Sequence, residues 1–136
     1  MKSIQEAAGD YRQARLQASG IAQTYGAFRP KEPEAERLLQ RRDDTKAAFL
    51  EACREEVSKG GALAAAATRY LQAHDNAREC PQIILRNMDG VKEASKRMRE
   101  LMDAQERLME ECGQPSALTA LERASQNAPK PSNIKQ

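Results

Sequence analysis

The sequence predicts an all-α protein, an antiparallel helical bundle of about four main helices with a short C-terminal helix and a disordered tail. Two observations carry this prediction. Apolar residues recur at three- and four-residue spacing through most of the chain, which is the period of an amphipathic helix. Glycine and proline residues divide that pattern into segments, and no stretch alternates apolar and polar residues as a half-buried strand would.

The length of 136 residues predicts a single helical domain over residues 1–127, followed by a disordered tail over residues 128–136. Alanine dominates the apolar fraction of 40%, and there is no tryptophan. Alanine side chains bury little area each, so helices can approach closely while gaining little hydrophobic stabilisation per residue. We therefore expect part of the apolar surface to need a partner.

The charged residues are balanced, with 22 lysines and arginines against 20 acidic residues, and both signs are spread along the whole chain. An even distribution creates no single-signed field that would attract a polyanion. The three cysteines lack paired spacing, which is typical of reduced thiols in a cytoplasmic protein. No apolar signal core and no apolar run of membrane-spanning length is visible, so no membrane association is predicted.

The first helix is predicted to begin after Ser3, because Ser3 and Glu6 form the pattern of a capping box. Its apolar residues keep a heptad spacing for three repeats, and most of them are alanine or tyrosine. The predicted stripe comprises Ile4, Ala7, Tyr11, Ala14, Ala18, Ile21 and Tyr25. Gly26 is a suitable residue to end the helix.

The second helix is predicted over Pro33–Lys59, since proline is tolerated in a first turn and Glu34 and Glu36 face the positive end of the helix dipole. A polar interruption at Arg41-Arg42-Asp43-Asp44 either faces water or meets charges on another chain. Gly60-Gly61 ends or sharply bends the helix.

A third helix is predicted over Ala62–Glu79, and Cys80-Pro81 should break it because a residue before proline avoids the helical region. The cluster Ile83-Ile84-Leu85 follows and leads into Asn87-Met88-Asp89-Gly90, which is either a turn or a kink. Whether residues 82–112 form one helix or two is therefore open.

The strongest helical pattern runs from Val91 to Cys112 and ends before Gly113 and Pro115. One face of this helix is apolar and the remainder is charged. That face consists of Val91, Ala94, Met98, Leu101, Met102, Leu108, Met109 and Cys112. A short helix over Ala117–Ser125, capped by Ser116, is predicted before the tail.

The residue types suited to catalysis or metal binding do not occur at the spacing that a catalytic or metal site would need. His74 is the single histidine, which removes every mechanism that requires two, and a surface or boundary position is the simplest interpretation. A zinc site built from Cys53, His74, Cys80 and Cys112 would lack the paired ligand spacing of known structural sites. No enzyme activity, metal or cofactor is therefore predicted.

We expect a protein-interaction module, such as an adaptor, chaperone, inhibitor or assembly component, which acts through a helical face. The expected mode is helix-to-groove or coiled-coil association, either in a homodimer or with a different protein. Methionine supports this expectation because it adapts to irregular partners. The predicted partner-binding residues are Met98, Leu101, Met102, Leu108, Met109, Arg41 and Arg42. The alternative is an accessory nucleic-acid-binding protein that uses Lys92, Lys96 and Arg99 on the 91–112 helix.

Overall fold

The computed structural model describes residues 2–19, 21, 33–86 and 88–115, and within these ranges the chain is helical, with no β-strand. The helices are α1 (Ile4–Ala18), α2 (Pro33–Lys59), α3 (Ala64–Ala77), α4 (Cys80–Arg86) and α5 (Asp89–Glu111). Four of them are long and α4 has 7 residues, so the predicted all-α bundle of about four main helices is confirmed.

Several helix ends follow the local signals in the sequence, but α1 stops at Ala18, before the predicted stripe residue Ile21, and is therefore shorter than predicted. The Ser3 side chain accepts a hydrogen bond from the backbone N–H of Glu6 at 3.1 Å, which caps α1. The predicted bounds of α2 agree with the structure. Gly60 and Gly113 follow α2 and α5 with φ angles of 65° and 83°, a left-handed conformation that glycine adopts without steric cost.

The region after α3 differs in detail from its prediction. The break falls at residues 78–79, and Pro81 lies in the first turn of α4, where its missing N–H costs no helical hydrogen bond. Residues 82–112 belong to two helices and not to one, since α4 ends at Arg86 and α5 begins at Asp89. The predicted Ala117–Ser125 helix, the tail, and the stripe residue Tyr25 lie outside the described residues.

Hydrogen bonds from side chains to other helices define the relative directions of the helices. Moving along α3, Tyr70 bonds to Gln105, and Asn76 accepts from Arg97, so α3 and α5 are antiparallel. Arg15 bonds to Glu106, and Arg12 bonds to the Pro115 carbonyl, so α1 and α5 are also antiparallel. The tight turn between α2 and α3 reverses the chain.

The resulting arrangement is an up-down-up-down bundle of α1, α2, α3 and α5, with α4 continuing past the end of α3 and packing against the start of α5. The aromatic rings of Tyr11, Phe49 and Tyr70 form a row through its centre, with centroid separations of 5.9 and 5.4 Å. Alanines pack around this row together with Leu108 and Met109. A few large side chains therefore supply most of the core volume, and alanine allows the helices to come close.

Candidate protein-interaction surface

Large apolar side chains are exposed mainly along α4 and the first half of α5. Of seven such side chains among the described residues, six belong to this region: Ile84, Leu85, Met88, Val91, Met98 and Met102. We call these six residues the α4–α5 apolar surface. The seventh, Leu16, lies near the end of α1.

The α4–α5 apolar surface begins at the tip of a helical hairpin. α4 packs antiparallel against the first turns of α5, since Gly90 lies against Ile83 and the Cys80 thiol bonds to the carbonyl oxygen of Ala94. Leu85 and Met88 lie at this tip with exposed fractions of 85% and 90%. These values are far above those of core residues, so the tip presents apolar atoms directly to solvent.

Close backbone contact holds the hairpin together. Gly90 is buried against α4, and a Cβ atom at this position would overlap the carbonyl oxygen of Ile83. The Cys80 thiol donates to the carbonyl oxygen of Ala94 with an Sγ···O distance of 3.6 Å. The apolar tip is therefore part of a packed element.

Arg97 joins the hairpin to the end of α3. Its Nη1 donates to the carbonyl oxygen of Asn76 at 2.9 Å and to Oε2 of Glu79 at 3.2 Å, and its Nε donates to Oε1 of Glu93 at 3.0 Å. The Glu93 and Glu79 hydrogen bonds raise the pKa of Arg97 above its usual value. A guanidinium group at the C-terminal end of a helix also interacts favourably with the helix dipole. Arg97 thus links the hairpin of α4 and α5 to the end of α3.

The predicted methionine and leucine face of α5 divides into an exposed part and a buried part. Met98 and Met102 are 44% and 58% exposed, and Leu101 is half-buried. Leu108 and Met109 are fully buried in the central core. The side chains of these last two residues pack inside the bundle, so they do not belong to the α4–α5 apolar surface.

The position of α1 explains this division. Arg15 donates to Oε1 of Glu106 at 3.1 Å and to the sulfur of Met109 at 3.6 Å, so α1 lies beside the second half of α5. Because α1 ends at Ala18, Met98 and Met102 remain exposed although they share the helical spacing of Met109.

Arg41 and Arg42 lie on α2 and do not join the α4–α5 apolar surface. Arg41 is exposed and lines a shallow depression with Gln17 and the first turns of α2, to which no residue of α5 contributes. Arg42 is half-buried, and its guanidinium lies 3.6 Å from the carboxylate of Asp43. The predicted partner-binding set therefore does not form one patch.

The predicted partner-binding residues do not include Ile84, Leu85 or Met88, although the aliphatic cluster at 83–85 and Met88 are visible in the sequence. The signal that could have found them is the turn chemistry of Asn87 to Gly90. A turn there places the flanking apolar residues at a tip, where helix packing cannot bury them.

The Cys53 and Cys112 thiols and the His74 imidazole lie in environments that favour their uncharged forms. Burial raises the pKa of the Cys53 thiol to about 12 and that of the Cys112 thiol to about 11, which disfavours the reactive thiolate. Burial and the nearby Lys46 ammonium lower the pKa of His74, whose ring lies edge-on to Tyr70 at 6.3 Å. Among the described residues, no three histidine, cysteine, aspartate or glutamate side chains are arranged to hold a metal ion.

Comparison with known proteins adds no family to this description, since no family model, curated protein or solved structure matches the chain. In the part of the chain that the structure describes, no helix combines the length and apolar character needed to cross a membrane.

Proposed function

We propose that this protein is a non-enzymatic protein-interaction module, an adaptor, chaperone, inhibitor or assembly component, which binds a protein partner through the α4–α5 apolar surface. The observation that carries the proposal is the concentration of exposed apolar side chains there, in six of the seven instances among the described residues. Concentrated exposed apolar surface is characteristic of interaction sites, whereas isolated exposed apolar residues are ordinary.

Two further features support the proposal. Three of the six side chains are methionines, whose flexible thioethers adapt to the shape of a partner. The hairpin that presents them is held by Gly90, Cys80 and Arg97, so binding would not need to order a flexible segment. The partner in this proposal is a protein, and a second copy of the chain is one form that it could take.

The test is the double variant Met98→Asp/Met102→Asp, compared with Ala47→Asp as a matched control. Ala47 is exposed in the middle of α2, so the control places an aspartate on a helix surface away from the α4–α5 apolar surface, with one added negative charge against two in the double variant. Because Met98 and Met102 are exposed, both proteins should retain their helical circular dichroism and melting temperature. Affinity capture from the native host followed by mass spectrometry should then show a partner with the wild type and the control, but not with the double variant.

Light scattering over a concentration series completes the test by reporting self-association. If the double variant and the wild type capture the same proteins and have the same mass in solution, the α4–α5 apolar surface is not a binding site and the proposal fails.

A further inference from the structure

The α4–α5 apolar surface has a basic edge. Lys92, Lys96 and Arg99 follow one another along α5, next to the stripe formed by Val91, Met98 and Met102. All three cationic side chains are exposed, and none forms an ion pair with another residue in the described ranges. Arg97 differs, because it is engaged with α3 and Glu93.

The second half of the same edge is acidic. Asp103, Glu106 and Glu110 continue the line of Lys92, Lys96 and Arg99 towards the end of α5. The edge of α5 therefore changes sign at about Met102, which is also where the apolar stripe changes from exposed to buried.

The acidic half of the edge shows how a helix pairs with this side of α5. There α1 supplies apolar residues to the core and a basic residue to the edge, since Arg15 bonds to Glu106 at 3.1 Å. The neighbouring helix thus matches both features of α5, the apolar stripe and the charged edge. By the same rule, a helix that binds the first half of α5 needs apolar side chains for Met98 and Met102 and acidic side chains for the basic edge.

We infer that the α4–α5 apolar surface binds an amphipathic helix of a partner protein whose apolar face is flanked by Asp or Glu residues. The inference rests on the proposed function and names the chemistry of its partner. The apolar face of the partner helix packs on Val91, Met98 and Met102, and its acidic side chains face Lys92, Lys96 and Arg99.

A second copy of the chain fits this edge less well. If two α5 helices met antiparallel through their exposed halves, the basic edge of one would lie on the same side as the basic edge of the other, which is unfavourable. The acidic half of α5 lies beside α1 and carries the Arg15–Glu106 ion pair. A nucleic acid would use the three cations but would leave the adjacent methionines in water, because bases stack on aromatic side chains.

The test measures fluorescence anisotropy with two labelled synthetic helical peptides of about three heptads. Both peptides carry the same leucine and alanine face, and they differ only in whether the flanking positions are glutamate or lysine. The wild-type protein should bind the glutamate peptide at least about tenfold more tightly than the lysine peptide, with a difference that shrinks as salt is raised.

Variants of the protein test whether the basic edge causes the preference for the glutamate peptide. The triple variant Lys92→Glu/Lys96→Glu/Arg99→Glu should reverse it, and Met98→Asp/Met102→Asp should bind neither peptide. The control Arg69→Glu/Arg107→Glu changes exposed charges outside the edge and should keep the wild-type preference. Circular dichroism of every variant verifies that it is folded.

Four outcomes would overturn the inference. Equal binding of the two peptides would show that the partner helix does not need acidic flanking residues, while the apolar surface and the proposed function would stand. Failure of both peptides to bind would show that the partner of this surface is not an amphipathic helix. Self-association that Met98→Asp/Met102→Asp abolishes would identify a second copy as the occupant. Salt-sensitive binding of a labelled single-stranded oligonucleotide that needs Lys92 and Arg99 but not Met98 would identify a nucleic acid.

Discussion

The hydroxyl group of Tyr70 donates a hydrogen bond to Oε1 of Gln105, at 3.3 Å, in the centre of the bundle. Tyr70 is fully buried, and Gln105 is the one buried polar or charged residue among those that the structure describes. Burial raises the pKa of Tyr70, so the phenol stays protonated and remains a donor. The pair joins α3 to α5 at the level where α5 changes from its exposed half to its buried half.

Tyr70→Phe should therefore reduce the free energy of unfolding by about 1–2 kcal/mol, because it leaves the Gln105 side chain buried with one hydrogen bond fewer. Gln105→Leu should also destabilise the protein, since it removes the acceptor of the Tyr70 hydroxyl. The free energy of unfolding of the double variant should fall by less than the sum of the decreases in the two single variants. Urea unfolding of the four proteins measures this coupling, and strict additivity would mean that the hydrogen bond contributes nothing.

Gly90→Ala should open or distort the hairpin of α4 and α5. The new methyl group would overlap the Ile83 carbonyl oxygen, a backbone atom that cannot move without displacing α4. Overpacking of this kind typically costs about 1–3 kcal/mol.

Gly9→Ala is the matched control for this substitution. Gly9 also lies inside a helix, but its added Cβ would meet only the end of the flexible Gln114 side chain, at 3.3 Å. Alanine has a higher helix propensity than glycine, so the control should be neutral or gain up to about 1 kcal/mol. Thermal unfolding of both variants compares them, and equal stability would show that α4 does not approach α5 closely at Gly90.

Substitutions along the apolar stripe of α5 should differ strongly in effect although the residues share one helix. Leu108→Ala should cost about 2–5 kcal/mol, because Leu108 is fully buried and its truncation leaves a cavity in the core. Met102→Ala should change stability by less than about 0.5 kcal/mol, since more than half of its surface already contacts water. Denaturant unfolding distinguishes them, and a large loss in Met102→Ala would show that Met102 is packed inside the protein.

Stability should decrease in mildly acidic solution in part through His74. Burial and the Lys46 ammonium lower the pKa of His74 in the folded protein, whereas the unfolded chain has the ordinary value of about 6.5. Below pH about 6.5 the unfolded state therefore binds the proton first, and folding becomes less favourable until the folded histidine is also protonated. Above this range the contribution of His74 is constant.

His74→Gln should accordingly lose less stability than the wild type when the pH falls from about 7.5 to about 5.5. Comparing the two proteins removes the contribution of other groups that titrate in the same range. Parallel pH dependences would mean that His74 has the same pKa in the folded and unfolded states.

Local signals in the sequence determined the class of the fold and several helix ends. The apolar spacing predicted an all-α bundle, Ser3 and Gly60 marked helix ends, and α2 was predicted over the range observed. These features could be read directly because capping, glycine conformation and proline geometry depend on a residue and its near neighbours in the chain.

Only the tertiary structure decided which apolar residues meet solvent. Met102 and Met109 lie on the same side of α5 and look alike in the sequence, yet one is 58% exposed and the other is fully buried. The difference arises because α1 lies beside Met109 and ends at Ala18, before the first half of α5. Helical periodicity gives the direction in which a side chain points, but its burial depends on the length and placement of a helix far away in the chain.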